Sequence, residues 1–334
     1  MERAAVEATT GEEAMTEIWD TTEDALFDFD KPPPVSLADK FGVPPMSVLD
    51  RRSGEWQERK RRWVSMGFTS ELGRDSAGMG HDSPVVIRAG RNDGFAQLLQ
   101  GDLKADGVSI FDPVVCELAY RWHTLPGDRV LDPFAGGSVR GVVASTLARY
   151  YVGVDLRGDQ IAANEAQRHL CGDIAPRWLQ GDSQRLDAAL ADDIDEFDLI
   201  FSCPPYGDLE RYSDNPRDLS VMSAEDFSEA HRGIIQQATQ RLRPNRFVVW
   251  VISDVRDKRG AYRGLVADAI HHFADAGLQL HNDAILLDQV GAAAVRAERP
   301  FRATRKLTRV HQHMLVFVKG SAKVAATRLE GAVA

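Results

Sequence analysis

Short apolar runs alternate along this chain with longer stretches in which apolar residues recur at helical spacing. Runs rich in branched and aromatic residues at 129–133, 150–155, 176–180, 197–202, 246–252, 278–287 and 312–318 have the length and composition of strands. Segments 113–123, 139–148, 158–170, 224–242 and 261–275 read as helices. Strand and helix in turn predict an α/β fold with a mostly parallel sheet and helices on both faces. The last two strands are expected to pair antiparallel across the 288–311 connection, which reads as an irregular loop.

The alternation does not extend over the whole sequence of 334 residues, a length that suits one large α/β domain or two small ones. Residues 1–40 form an acidic arm, with Glu2, Glu7, Glu12, Glu13, Glu17, Asp20, Glu23, Asp24, Asp28 and Asp30 ahead of Pro32-Pro33-Pro34. Such a segment is expected to be flexible, either a solubilising tail or one that binds a partner or mimics DNA. Residues 41–95 form a basic and aromatic extension, with a glycine-rich linker at 75–95. Residues 96–320 are expected to form the main α/β domain and 321–334 a tail.

Composition narrows the class. A hydrophobic fraction of 43% with 27% charged residues describes an ordinary globular protein. No apolar stretch approaches bilayer length, and the acidic N-terminus does not read as a signal peptide. Cys116, Cys171 and Cys203 show neither pairing nor metal-ligand spacing, which suits a reducing cytoplasm. His311 and His313 alternate on a strand and make a weak metal pair. A net charge of −10 counts against nucleic acid, but the positive charge is clustered. Arg51, Arg52, Arg59, Lys60, Arg61 and Arg62 lie among Trp56, Trp63 and Phe68. Arg296, Arg299, Arg302, Arg305, Lys306 and Arg309 surround Phe301. Either cluster suits phosphate contact, with Arg59, Arg62, Arg299, Arg302, Arg305 and Lys306 as DNA-binding candidates. For the first, a core-packed helix with arginines in water serves equally well.

Two segments carry chemistry. Val130-Leu131-Asp132-Pro133-Phe134-Ala135-Gly136-Gly137-Ser138 is a strand running into a glycine-rich turn and a helix start, where backbone comes close to a ligand. Asp155 ends the next strand, about 20 residues on, which suits a ribose diol, and Asp182 ends the third. The second segment, Ser202-Cys203-Pro204-Pro205-Tyr206, follows the apolar run Phe197–Phe201. Its prolines donate no backbone hydrogen bond and fix φ, giving a rigid turn beside an aromatic face. Each acid has a plainer use, Asp132 and Asp182 as caps and Asp155 as a surface acid; Tyr206 could be a core aromatic.

These segments resemble the cofactor motif (Asp-Pro-Phe-Ala-Gly-Ser-Gly) and catalytic motif (Asp/Asn/Ser-Pro-Pro-aromatic) of S-adenosylmethionine-dependent DNA amino-methyltransferases. Phe111-Asp112-Pro113 with Glu117 resembles the motif that closes over the methionine end of the cofactor. The stretches from Phe41 to Trp63 and from Arg305 to Lys319 resemble phage and prophage DNA methylases, and the likeness covers roughly residues 40–320. The resemblance implies a Rossmann-like methyltransferase fold, mostly parallel with an antiparallel C-terminal strand. It implies S-adenosyl-L-methionine as cofactor, held by Phe111, Asp112, Pro113, Asp132, Pro133, Phe134, Ala135, Gly136, Gly137, Asp155, Leu156 and Asp182. It implies double-stranded DNA with a flipped base as partner, no membrane, and a host cytoplasm if phage-encoded.

Catalysis falls to Ser202, Cys203, Pro204, Pro205 and Tyr206: carbonyl and side-chain acceptors draw out the amine hydrogens while Tyr206 stacks on the ring. Adenine N6 is favoured over cytosine N4. Two departures stand out: Gly136-Gly137-Ser138 replaces Gly-Ser-Gly, and Cys203 replaces the usual Asp, Asn or Ser. A thiol accepts poorly, so Ser202 or the Pro204 carbonyl is expected to take that task. An RNA methyltransferase, attack at cytosine C5 through Cys203, and a non-catalytic DNA-binding protein remain open alternatives. Loops 207–223 and 288–311 are the candidates for reading a DNA site.

Overall fold

The computed structural model describes residues 36–68, 111–190, 196–207, 209, 211–288, 290 and 293–330. The acidic arm up to residue 35, the 75–95 linker, Asp208, Glu210 and the last four residues lie outside the described residues. Strands are β1 (Val48–Asp50), β2 (Arg129–Asp132), β3 (Tyr150–Asp155), β4 (Arg177–Gln180), β5 (Phe197–Ser202), β6 (Leu242–Ile252), β7 (Gln279–Leu287) and β8 (His311–Lys319). Helices are α1 (Leu37–Phe41), α2 (Gly54–Val64), α3 (Pro113–His123), α4 (Val139–Thr146), α5 (Gly158–Ala166), α6 (Leu186–Leu190), α7 (Ala224–Gln240), α8 (Leu265–Asp275), α9 (Ala293–Thr304) and α10 (Ala322–Glu330).

One sheet runs in the order β1-β7-β8-β6-β5-β2-β3-β4. β4, β3, β2, β5 and β6 are mutually parallel, and β8 is antiparallel to both β6 and β7, as expected from the sequence. Chain order reverses between β2 and β5: successive strands go one way to β3 and β4, the other to β5 and β6. Open α/β sheets bind ligands at such a switch point, outside the carboxyl ends of the strands.

The central strands are mostly apolar on both faces, as suits a sheet covered on both sides. Val130, Leu199, Phe201, Val249, Met314 and Val316 join the core under α3 and α4. Their neighbours Leu131, Ile200, Val248, Trp250, Leu315 and Phe317 join the core under α7 and α8. The N-terminal segment belongs to the first core through Val43, Leu49, Trp56 and Phe68, and α10 adds Ala325.

Four local expectations need correction. The 288–311 connection is not an irregular loop, since α9 occupies its middle with Pro300 inside the helix. The helix expected at 261–275 starts at Leu265, because Gly264 at φ 84° caps it in a left-handed conformation open to glycine. β6 begins four residues earlier than the apolar run suggested, at Leu242, across a register shift opposite Phe197 and Leu199. β1, too short to show a pattern, was not foreseen; it lies parallel to β7 at the sheet edge.

Candidate active site

The carboxyl ends of β2, β3, β4 and β5 and the amino end of the reversed strand β8 surround a cavity of about 390 Å³, a size that suits a cofactor or small ligand. Phe111, Pro133, Phe134, Gly136, Gly137, Asp155, Leu156 and Asp182 line it, as do Cys203, Pro204, Pro205 and Tyr206. The sequence set these two groups apart; the switch point brings them to one space. Asp112, Pro113, Asp132, Ala135 and Ser202 stand behind the wall and do not line it.

Asp132 is fully buried. It accepts from Arg140 Nε at 2.5 Å, Tyr151 Oη at 2.7 Å, Ser202 Oγ at 2.5 Å and Phe134 N at 3.1 Å. A carboxylate with four donors is satisfied and turned inward. It ties the end of β2 to β3 and β5, and its carboxylate is turned away from the cavity. Ser202 is held likewise: its hydroxyl donates to Asp132 and accepts from Phe134 N at 3.2 Å. It does not face the cavity, which removes it as acceptor for a target amine.

Asp112 also turns away. It caps α3 by accepting from Val114 N at 3.0 Å and takes Trp56 Nε1 at 3.2 Å, with Arg51 Nε at 3.4 Å. Pro113 occupies the first turn of that helix, where its missing N–H costs nothing. Only Phe111 of this motif reaches the cavity, beneath the Arg140 guanidinium, 4.7 Å from the ring centroid.

The glycine turn is shaped by Gly136 at φ 50°. Its N–H donates to Asp155 Oδ2 at 2.9 Å, and its carbonyl accepts from Asn164 Nδ2 at 2.8 Å. Asp155 Oδ1 accepts from Arg157 N at 2.9 Å, which leaves lone pairs on both oxygens for a ligand. Burial pushes its carboxyl up to about 6, against the partial relief of those two backbone amides. Asp182 is a cap, the plainer of the uses weighed from sequence, and it also lines the cavity. Oδ1 caps the following turn through Gln184 N at 3.0 Å, and the side chain also borders the cavity, with Arg217 3.6 Å from Oδ2.

Tyr206 faces Cys203 across the end of the Pro-Pro turn, with Oη 3.3 Å from Sγ. The same hydroxyl donates to Gln312 Oε1 on β8 at 3.2 Å. Burial holds the phenol well above its ordinary value, so it stays neutral. Cys116, Cys171 and Cys203 are all free thiols, as their spacing suggested.

The basic candidates divide. Arg59 is half-buried and committed, donating to Glu117 Oε1 at 2.7 Å and to the Gly42 carbonyl at 3.0 Å. Arg62 pairs with Glu58 one turn away on the exposed face of α2. The first cluster is therefore a core-packed helix: Trp56 is buried, and Trp63 Nε1 donates to Glu117 at 2.8 Å. On α9 and beyond, Arg302 pairs with Glu298 at 2.9 Å, Arg299 is exposed, and Arg305 lies over Phe301. Lys306 rests on Gly260.

That contact leads to residues the sequence reading passed over. The hairpin closed by Arg256 and Tyr262 carries Lys258 and Arg259 exposed at its tip. Arg256 stacks 3.7 Å from the Tyr262 ring centroid, and Arg309 lies 5.5 Å from it. Arg263 reaches back to Gly207, next to Tyr206. The arginines of 256–263 are visible in the sequence, but their place beside the Pro-Pro turn is not. Arg157, Gln160, Ser183 and Gln312 also line the cavity without any motif to announce them. Loop 207–223 contributes Leu209, Tyr212, Arg217, Asp218 and Leu219 to the wall.

His313 pairs with Asp283 at 2.9 Å, and among the described residues no cluster with metal-ligand geometry occurs. Among them, too, no helix is long and apolar enough to cross a membrane.

No protein-family profile and no curated protein matches this chain. Among solved structures it is similar to TrmN from Thermus thermophilus, with 19% identity over 63% of this chain and 49% of that one, at a TM-score of 0.42. The likeness thus spans about half the length of that protein. It is similar to a methyltransferase from Pyrococcus furiosus, with 15% identity over 69% of this chain and 95% of that one, at a TM-score of 0.41. A third is a TehB-like SAM-dependent methyltransferase from Corynebacterium glutamicum, with 18% identity over 68% of this chain and 96% of that one, at a TM-score of 0.40.

Proposed function

We propose that this protein transfers a methyl group from S-adenosyl-L-methionine to the exocyclic amine of a base in DNA, adenine N6 ahead of cytosine N4. One observation carries the reading: the Gly136–Asp155–Asp182 rim and the rigid Cys203–Tyr206 turn line the same cavity at the switch point of the sheet.

The residues fit the cofactor. Asp155 retains acceptor capacity for ribose hydroxyls, Asp182 for an adenine amine, and Phe134 and Leu156 offer apolar walls. When bound, the cofactor supplies an electrophilic methyl on a sulfonium. The protein's part is alignment, which is worth several kcal/mol when the reacting atoms are held in line. Pro204 and Pro205 fix the turn, and the carbonyl of Pro204 accepts from the amine. The neutral Tyr206 ring provides a stacking face for a base taken out of its duplex. Arg263 reaches Gly207 beside Tyr206, and Arg256, Lys258, Arg259, Lys306 and Arg309, gathered on and around the hairpin that carries Tyr262, give phosphates a basic and aromatic surface despite the net charge of −10. On this reading the methylated base shields DNA from restriction nucleases, as a phage-encoded modification would. Restriction digestion of DNA from expressing and non-expressing cells checks that role.

Nucleoside mass spectrometry tests the chemistry. Duplex DNA incubated with protein and S-adenosyl-L-methionine is expected to yield N6-methyladenine or N4-methylcytosine, and markedly less of it with Tyr206→Ala. Cofactor binding without any methylated deoxynucleoside would turn the reading to RNA or to a non-catalytic DNA-binding role.

A further inference from the structure

Methyl transfer to a base amine needs a side chain that can tell an amine-bearing edge from a carbonyl one, and the position before Pro204 does not supply it. Cys203 offers a thiol, a weak acceptor, and the Ser202 hydroxyl is spent on Asp132. Gln312 lines the same cavity from β8, next to Tyr206. It lies on the face of β8 that continues as Met314, Val316 and Val318, all buried in the first core. That apolar row ends in a carboxamide where the cavity begins. Gln312 Oε1 accepts from Tyr206 Oη at 3.2 Å, which orients the amide beside the stacking ring. Its Nε2 has no hydrogen-bond partner among the described residues.

We infer that Gln312 reads the target base: its Oε1 accepts from the exocyclic amine while its Nε2 donates to the adjacent ring nitrogen. Adenine and cytosine share that donor–acceptor edge; thymine and uracil present a carbonyl and an N–H instead. The catalytic part of this assignment rests on the methyl-transfer reading; the recognition part does not. In the transfer, the amine nitrogen gains the methyl carbon as the carbon–sulfur bond breaks to leave a neutral thioether, and the nitrogen releases one proton to water. Gln312 holds the amine in place and keeps its own protonation state throughout.

Two measurements test it, the first without turnover. Protein loaded with S-adenosylhomocysteine is examined by saturation-transfer NMR with deoxyadenosine, deoxycytidine and thymidine. Contact with deoxyadenosine or deoxycytidine but not thymidine, lost in Gln312→Leu while cofactor affinity holds within two-fold, is the expected result. Equal contact with all three, no contact with any, or a pattern unchanged in Gln312→Leu overturns the assignment.

The second measurement is methylation of duplex DNA at saturating cofactor. Gln312→Leu is expected to lower kcat/KM by about 10–100-fold, the discrimination value of a bidentate base contact. Gln312→Glu, which can donate to the ring nitrogen only when protonated, should recover activity relative to wild type as pH falls. A merely structural role would leave that ratio flat. Nucleoside contact that depends on Gln312, in a wild type that methylates nothing, would keep the recognition role and remove the methyl-transfer reading.

Discussion

Tyr206 is half-buried, neutral and tied by its hydroxyl to Cys203 and Gln312, so two properties of one side chain separate by mutation. Tyr206→Phe keeps the ring and loses the tether to the amide. Tyr206→Ala loses the stacking face, worth about 1–3 kcal/mol per base. The expected order of kcat/KM is wild type, then Phe, then Ala, with cofactor affinity unchanged by either; steady-state methylation alongside calorimetry checks it. Asp155 carries a second prediction. Its carboxyl titrates at about 6 in the folded protein, raised from 3.8 by burial. Only the ionised form accepts from two ribose hydroxyls in addition to its backbone donors. Cofactor affinity should therefore hold above pH 6 and weaken below it, by up to about tenfold per unit, while folding of the free protein gains from this group as pH falls from 6 toward 3.8. Calorimetric titration with S-adenosylhomocysteine across that range measures the effect. Ser202 shows how a motif misleads at this scale. Its type suited an acceptor, yet a buried carboxylate at the end of the neighbouring strand claimed its hydroxyl.

Elements meet at Asp198, an acid inside the otherwise apolar β5. Its carboxylate accepts from Arg129 N at 3.1 Å, Arg243 Nη1 at 3.0 Å and Arg246 Nε at 3.0 Å. Burial opposes its charge, but these donors outweigh it and hold the carboxyl below its ordinary value. The stability this gives is present at neutral pH and is lost as pH falls below 3.8 and through the folded value. Helix α10 closes the same end of the sheet, where Arg328 pairs with Asp128 and stands 3.9 Å from Asp198. Removing that cation leaves the nearly buried Asp128 with Leu125 N as its remaining donor, while Asp198 keeps Arg243 and Arg246. Arg328→Met is expected to cost about 2 kcal/mol in urea unfolding and to leave cofactor affinity unchanged, since the site lies at the other end of the strands. Two of the elements misjudged from sequence, α9 and α8, were hidden by local signals. A run of arginines around Phe301 has no strand pattern and reads as loop, and the residues before Leu265 read as helix until Gly264 sets the true start.

Over the whole molecule, charge is sorted by position rather than by sum. The acidic arm lies outside the described residues, while Lys258 and Arg259 stand exposed at the tip of the hairpin whose Arg263 reaches Gly207 beside the Pro-Pro turn. If this rim holds phosphates, Lys258→Ala with Arg259→Ala should weaken DNA binding. The salt dependence of log Kd should become shallower by roughly 1–2, and cofactor affinity should not change. Fluorescence anisotropy over a salt series decides it; an unchanged slope would place the DNA elsewhere, with Arg299 and Arg302 on α9 the next candidates.

The sequence by itself determined the alternation of strands and helices, the antiparallel end of the sheet, and both motifs that line the cavity. Those features follow from local periodicity, glycine freedom and proline rigidity, which act over a few residues. Tertiary structure alone decided which motif residues face the cavity. Asp132, Ser202 and Asp112 have the right chemistry, but each is turned inward by donors up to 70 residues away. It also decided what completes the site. Gln312 lies 106 residues beyond Tyr206, and only the reversal of β8 against β6 and β7 brings its end of the strand to the carboxyl edge where the parallel strands deliver their loops. Such pairing depends on strand order in the sheet, which no local pattern encodes.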